Sequence, residues 1–369
     1  MLEENIYRRR YDEIQHVLET NDADFALLTP SPSYQYLTGS AYQMHERLVA
    51  MLVTRDGAPR IIAPAFEVSD HQNNTWVKEI LPWTEEDDPY KLVVDALGPK
   101  KDGLHGMFDE KLPIGIYWQL EKALKGFKKT TSLSTHLENM RLIKSQEEIT
   151  MMKKAGKIID QAVSKAFAQA SIGMTETEVM QIVQNEIARN GASQTFAAVQ
   201  FDEKTALPHA KSGSEELREG DMVLMDCGCS IGGYNTDMTR VGVVGEPTDE
   251  QKKVHSVVLH ALETALEKIK PGIACGAADG IARRVIQEDG YGDYFTHRLG
   301  HGIGLEVHER PYLVRGNSHT LEPGMTHSIE PGIYMEGKFG VRIEDLVAIT
   351  ADGVEVLTYT PKDLFIIDV

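Results

Sequence analysis

Two stretches of this 369-residue chain each bring an apolar run to a carboxylate, turn at glycines, and return to a second carboxylate. In the first, Met222-Val223-Leu224-Met225 leads to Asp226, and Asp237 follows Gly232-Gly233, so one strand folds back on another. In the second, Ser328-Ile329-Glu330 runs into a strand, Glu336-Gly337-Lys338-Phe339-Gly340 turns it, and Val341-Arg342-Ile343-Glu344 returns. Between the hairpins lies Gly300-His301-Gly302-Ile303-Gly304, whose small neighbours leave the imidazole uncrowded and permit close backbone approach.

Four carboxylates buried together repel one another and raise one another's pKa, so a fold that gathers them needs cations to neutralise them. Two divalent ions bridged by carboxylates about 3.5–4 Å apart would supply that charge, polarise one water and stabilise the oxyanion formed when it attacks a carbonyl. The implied reaction is hydrolysis. One imidazole among four carboxylates is a hard, oxygen-dominated set that favours manganese, with iron, cobalt and zinc as alternatives. Singly, each of the five is an ordinary turn, cap or edge residue; their joint arrangement carries the chemistry. The pair His308-Glu309 is not the start of H-E-x-x-H, because position 312 is Tyr, and GHGIG lacks the strand-turn-helix setting of a dinucleotide loop.

Around this constellation the chain reads as two domains, an expected 1–132 and 133–369. Residues 3–20 carry Tyr7, Tyr11, Ile14 and Leu18 at helical spacing, and Phe25-Ala26-Leu27-Leu28 reads as a short buried strand. Apolar runs flank Thr54-Arg55-Asp56-Gly57 as in a hairpin, and amphipathic stretches follow near 89–97 and 115–126. This small α/β domain shows no metal or nucleophile constellation. Residues 128–136 are polar, rich in serine and threonine and aperiodic, and read as a linker. Beyond it, Ser145-x-x-Glu148 and Thr175-x-x-Glu178 have capping-box spacing ahead of helical apolar patterns. The same shape returns a hundred residues later after Pro271-Gly272, with Ala278, Ile281, Ala282, Val285 and Ile286. A weak internal duplication follows, in a pseudo-symmetric α/β domain with a site between its halves.

Composition excludes other partners. Acidic residues number 56 against 38 basic, a formal charge of −18 that repels nucleic acid and anionic membrane surfaces. The start of the chain has no apolar signal region, and no stretch approaches about 18 consecutive apolar residues, so the expected location is the cytoplasm. Cys227, Cys229 and Cys275 cannot form a disulfide framework; Cys227 and Cys229, a C-x-C pair, read as buried hydrophobes.

At this point five blocks resemble the pita-bread metallopeptidases, a family that includes methionine aminopeptidase, aminopeptidase P and prolidase: LPHAKSG at 207–213, LMDCGCSIGGYNTDMTR at 224–240, HRLGHGIGLEVHERP at 297–311, LEPGMTHSIEPGIY at 321–334 and FGVRIEDLV at 339–347. The first 132 residues, with Tyr36-Leu37-Thr38-Gly39, resemble the creatinase/prolidase N-terminal domain, which points to the proline-specific branch. The resemblance implies an α/β fold of such a domain followed by a pita-bread catalytic domain. By its pattern Asp226 would be a terminal ligand of one metal, Asp237 and Glu344 would bridge, and His301 and Glu330 would hold the second metal. Glu330 would also exchange protons with the bridging water. His209 and His308 would contact the scissile carbonyl and the tetrahedral intermediate.

The implied activity is Xaa-Pro dipeptidase, with aminopeptidase P acting on longer peptides as the alternative, and a non-peptide hydrolase or a carbon–sulfur lyase further behind. The substrate would be a small peptide with proline second, whose scissile bond is a tertiary amide without an N–H. A homodimer is expected from the relatives. In prolidases an arginine shortly after the His-Glu block binds the dipeptide carboxylate; Arg310 and Arg315 are the candidates here. Arg342 suits a carboxylate-orienting or substrate-anchoring role, and His327 stands where relatives often have an aromatic or apolar residue.

Overall fold

The computed structural model describes residues 2–99 and 103–369. The chain divides into two compact units, 1–141 and 142–369. The first runs α1 (Glu4–Thr20), β1 (Phe25–Leu28), α2 (Pro32–Thr38), β2 (Ala50–Thr54), β3 (Arg60–Pro64), α3 (Val68–Asn74), β4 (Glu79–Trp83), α4 (Pro89–Ala96), β5 (His105–Phe108), α5 (Ile114–Ala123), β6 (Lys129–Ser132) and α6 (Ser134–Leu142). Its six strands form one mixed sheet in the order β4-β3-β2-β1-β5-β6. Tyr7, Tyr11, Ile14 and Leu18 all lie on the buried side of α1, as their spacing predicts. The β2–β3 hairpin pairs Leu52 with Arg60 and turns at Gly57, whose φ of 101° favours glycine.

The stretch read as a linker differs. Residues 129–132 form an edge strand parallel to β5, and α6 follows, so the units separate at Arg141/Leu142 rather than at 132/133. Lys129-Thr130-Thr131-Ser132 has no apolar alternation because an exposed edge strand buries neither face, and pattern alone reads such a segment as loop.

The second unit is built as two helix-pair-plus-sheet halves. The first half holds α7 (Gln146–Gln169), α8 (Glu176–Arg189), β7 (Ser193–Phe201), β8 (Met222–Ile231), β9 (Tyr234–Asn235) and β10 (Met238–Val244). The second holds α9 (Asp249–Lys268), α10 (Cys275–Glu288), β11 (Gly300–Gly302), β12 (Glu309–Leu313), β13 (Thr326–Ile329), β14 (Gly332–Met335), β15 (Phe339–Arg342), β16 (Asp345–Ile349), β17 (Val354–Val356) and, returning to the first sheet, β18 (Phe365–Ile367). The sheets run β18-β10-β8-β7, with β9 on β8, and β12-β11-β13-β16-β17; β14 and β15 form a two-stranded ribbon. Both expected capping boxes are present, at Ser145/Glu148 and Thr175/Glu178, each satisfying donors that a helix start leaves open. A third, at Thr248/Gln251, opens α9.

β8 is buried on both faces, which is why it reads as a continuous apolar run. Alternation sends Met222 and Leu224 into the core under α9 and α10, and Val223, Met225, Cys227 and Cys229 into the core under α7 and α8. The cysteines are therefore free, buried hydrophobes, and burial pushes the Cys229 thiol up to about 12. Asp226 shares the parity of Met222 and Leu224, so it leaves the sheet on the opposite face from the thiols.

Candidate metal centre

Register gathers the carboxylates. In the β8–β10 pair Thr239 lies opposite Asp226, and Asp237, two residues before Thr239, shares its parity, so Asp226 and Asp237 sit diagonally on one face of the hairpin. In the other sheet Ile329 pairs with Asp345, so Glu330 and Glu344 leave the β13–β16 ladder side by side. The two hairpins are joined where the Glu344 N–H donates to the Thr239 carbonyl at 3.1 Å. His301 enters from β11, whose neighbours press close. A Cβ on Gly300 would sit 2.1 Å from the Ser328 carbonyl oxygen, and one on Gly302 would sit 2.2 Å from that of Arg310. No side chain fits at either position.

Asp237, His301 and Glu344 are buried, and one ligand atom from each lies within 4.8 Å of the others. His301 Nδ1–H donates to the Gly302 carbonyl at 3.1 Å, which leaves Nε2 as a lone pair 3.3 Å from Glu330 Oε1 and 3.7 Å from Asp237 Oδ2. Burial, with His308 next in effect, pushes the His301 pKa down to about 3, so these short contacts are not ion pairs with an imidazolium. Burial first, then repulsion from the neighbouring carboxylates, Glu344 foremost for Asp237 and Glu330 for Glu344, raises both well above the usual carboxylate range. Asp237 Oδ1 and Glu344 Oε1 are buried without a hydrogen-bond partner. Converging lone pairs with no donor between them are the arrangement a divalent cation completes, and the residues present fit one. Glu344 Oε2 is already oriented by the Thr239 hydroxyl at 2.7 Å.

Asp226 is placed differently. Its Oδ2 lies 2.6 Å from Arg342, whose Nε also donates to Thr239 Oγ1 at 2.9 Å and whose Nη1 donates to Tyr334 Oη at 3.1 Å. Arg342 thus touches the carboxylate set directly, on the side its strand parity suggests. Tyr334 in turn lies 2.9 Å from His297 Nε2, while His297 Nδ1–H donates to the Arg298 carbonyl at 2.7 Å. With Nδ1 carrying the proton, Nε2 accepts from the tyrosine hydroxyl. Burial, reinforced by Arg342, pushes His297 down to about 4.

All five expected ligands, together with His209, His308 and Arg342, line one cavity of about 860 Å³. The His308 ring stands edge-on to His301 at 4.1 Å, and burial lowers its pKa. His209 lies close enough to disfavour protonation of both His297 and His308. Arg315 is corrected: it is exposed on the turn after β12 and is not a lining residue, and neither is Arg310. The lining arginines are Arg342 and Arg298, whose guanidinium stacks 4.4 Å from the Tyr312 ring centroid. His327 is wholly buried outside the lining, with Nδ1 bonded to the Ser328 carbonyl at 2.9 Å. Sequence reasoning missed His297, Arg298 and Tyr334; the one local signal for His297 and Arg298 was the polar run Thr296-His297-Arg298 shortly before the glycine-flanked His301, and Tyr334 had none.

Two layered half-domains that converge on a hard donor set define a metal-dependent hydrolase of the pita-bread architecture. Residues 150–351 match metallopeptidase family M24 and residues 10–143 match the creatinase/prolidase N-terminal domain, and the chain belongs to this metallopeptidase family. It is 36% identical over 363 residues to a protein of Lactobacillus helveticus named Xaa-Pro dipeptidase, covering 97% of this chain and 99% of that one. Its fold is similar to the crystal structure of a prolidase from Thermococcus sibiricus, with a TM-score of 0.91 at 32% identity, covering 98% of this chain and 99% of that one. An X-Pro aminopeptidase from Thermotoga maritima is similar at a TM-score of 0.86 and 30% identity, covering 94% and 98%.

Proposed function

We propose that this metallopeptidase hydrolyses Xaa-Pro dipeptides, with two divalent ions, manganese foremost, held by Asp226, Asp237, His301, Glu330 and Glu344. The observation that carries the reading is the buried Asp237–His301–Glu344 group, with two partnerless carboxylate oxygens, inside a cavity that also presents His209, His308 and two arginines. Bound there, the ions would supply Lewis-acid polarisation of water and of the scissile carbonyl.

The chain's own residues do the rest. Glu330, whose Oε1 the Ser328 hydroxyl holds at 2.9 Å, lines the cavity as the carboxylate that exchanges a proton with the attacking water. His308, neutral and half-lining the cavity, can donate an N–H to an oxyanion, and His209 does the same from the rim. Arg298 replaces Arg310 and Arg315 as the group that receives the dipeptide's carboxylate, because it faces the cavity and keeps its plane against Tyr312. Arg342, bonded to Asp226, orients the ligand set.

The likeness to the Thermotoga enzyme supports aminopeptidase P as the second reading, in which longer peptides are accepted. A homodimer is proposed on the family resemblance, and a cytoplasmic location on three buried free cysteines; no described helix is long and apolar enough to cross a membrane. The deciding experiment assays manganese-loaded protein on Ala-Pro, Leu-Pro and Met-Pro against Ala-Pro-Ala and longer peptides, with an EDTA control. Cleavage confined to dipeptides is expected. Release of the first residue from longer peptides would move the assignment to aminopeptidase P. No cleavage by metal-loaded protein would refute both, and acrylate release from dimethylsulfoniopropionate would then identify a lyase.

A further inference from the structure

β7 ends at Phe201, and the chain leaves the sheet for residues 202–212, which carry His209 to the cavity rim. The segment begins with a 3-10 turn at Asp202–Ala206, where Thr205 Oγ1 donates to the Asp202 carbonyl at 2.6 Å and accepts from the Gly340 N–H of β15 at 2.7 Å; beyond it, the backbone bonds among the described residues are the turn bonds Leu207 N–H to Lys204 O and Ala210 N–H to Leu207 O. Pro208 has no N–H to add. The neck of the loop is closed from α8. Glu176, fully buried, accepts from Phe201 N at 2.9 Å, Gly213 N at 2.6 Å and Lys204 Nζ at 2.5 Å. Ser212 Oγ exchanges bonds with the Val199 N–H at 2.8 Å and the Val199 carbonyl at 2.9 Å. A closed neck still leaves the tip free to pivot.

The tip is held by Gln200, a residue 1% exposed near the end of β7. Its Nε2 donates to the Leu207 carbonyl at 3.1 Å and to the Ala210 carbonyl at 2.7 Å. These are the carbonyls on either side of Pro208-His209, and the two donors of one amide are both used on them. Gln200 Oε1 is buried without a partner. The amide orientation is therefore dictated by the two carbonyls, which need donors, and only the amide nitrogen can supply them.

We infer that Gln200 is a positioning residue for His209: by bracing the carbonyls on both sides of Pro208-His209, it sets where the imidazole stands over the centre. The inference rests on the proposed role of His209 in the hydrolysis. A tip displaced by about 1 Å would put the imidazole out of reach of a developing oxyanion while leaving the rest of the cavity in place, so the loss belongs in kcat.

The test compares Q200M and Q200E, which keep the side-chain length and offer no donor or at most one, with H209A and with the double variant Q200M/H209A. Each is the full chain, loaded with manganese, assayed on Ala-Pro well below its own melting temperature. Q200M is expected to lower kcat about 10–100-fold with KM within about twofold, and Q200E to do likewise. H209A is expected to lower kcat about 100-fold or more, and adding Q200M to H209A to lower it no further. If H209A is slow but both Gln200 variants turn over like wild type, this inference fails and the proposed function stands. Equal losses from Q200M in both backgrounds would mark a merely structural residue and also overturn it. A fully active H209A removes the role of His209 and this inference together.

Discussion

Replacing Arg240 tests whether the scaffold beneath the centre is as tightly determined as its geometry indicates. The Arg240 side chain is 1% exposed and lies 2.7 Å from Asp345, itself 0% exposed. Its other donors reach the carbonyls of Thr239 at 2.9 Å, Glu344 at 2.5 Å, Thr360 at 2.8 Å and Pro361 at 3.0 Å. One guanidinium therefore ties β10, the residue before β16 and the segment leading to β18 into a single node directly behind Glu344. R240M removes the cation and strands four buried carbonyls; truncating one partner of a buried pair costs about 3–5 kcal/mol. Lys362, 2.9 Å from Asp345 Oδ2, still neutralises the carboxylate and keeps the loss within that range. In a unit of roughly 230 residues, that loss lowers the melting temperature by about 6–10 °C, because unfolding entropy near 60 °C is about 2.1 cal/mol/K per residue. R240K is expected to recover less than half, since an ammonium has three donors and no planar fork to span five acceptors. Calorimetry in EDTA reads both variants without metal linkage. A shift under about 2 °C for R240M, or a wild-type melting temperature for R240K, would falsify the reasoning.

Three further outcomes are expected. D237A and E344A each remove a carboxylate whose free oxygen faces the centre, so metal content by mass spectrometry falls below the wild-type ratio and kcat drops at least about 1000-fold; full turnover without metal in either variant would sink the mechanism. T239V, which leaves Glu344 Oε2 without its hydroxyl, is expected to weaken metal affinity about 10–100-fold in a chelator titration. The third concerns acid stability. Burial, with Lys144 adding to it, pushes His327 from 6.5 down to about 4, so between those values the unfolded chain binds a proton that the folded chain does not. Its contribution is therefore complete above pH 6.5 and declines as pH falls toward 4, by about 3 kcal/mol in all. The melting temperature of H327L is expected to fall less steeply over that window, and an acid limb identical to wild type would show that His327 does not carry the dependence.

Much of the centre was legible because its elements are local. An apolar run ending on Asp226, paired glycines before Asp237, and His301 between glycines are features of a few adjacent residues, each tied to strand alternation or to close backbone approach. The capping boxes at Ser145 and Thr175 were legible for the same reason, since a cap is complete within four residues. The edge strand at 129–132 was not, because exposure on both faces erases the alternation that reports a strand.

What the sequence alone determined is the family, together with the residues proposed as its donors: five candidate ligands and two histidines in the order and spacing of the family's blocks. Tertiary structure alone decided which polar neighbours serve them. That Arg298 rather than Arg315 faces the cavity, that Asp226 lies against Arg342, and that His297 accepts from Tyr334 all depend on cross-strand register and on how β11, β14 and β15 are laid beside one another. Gln200 is the clearest case. It lies only nine positions before His209, yet its two bonds exist because the loop closes back on β7, and closure is a property of the folded chain that no local pattern of side chains encodes.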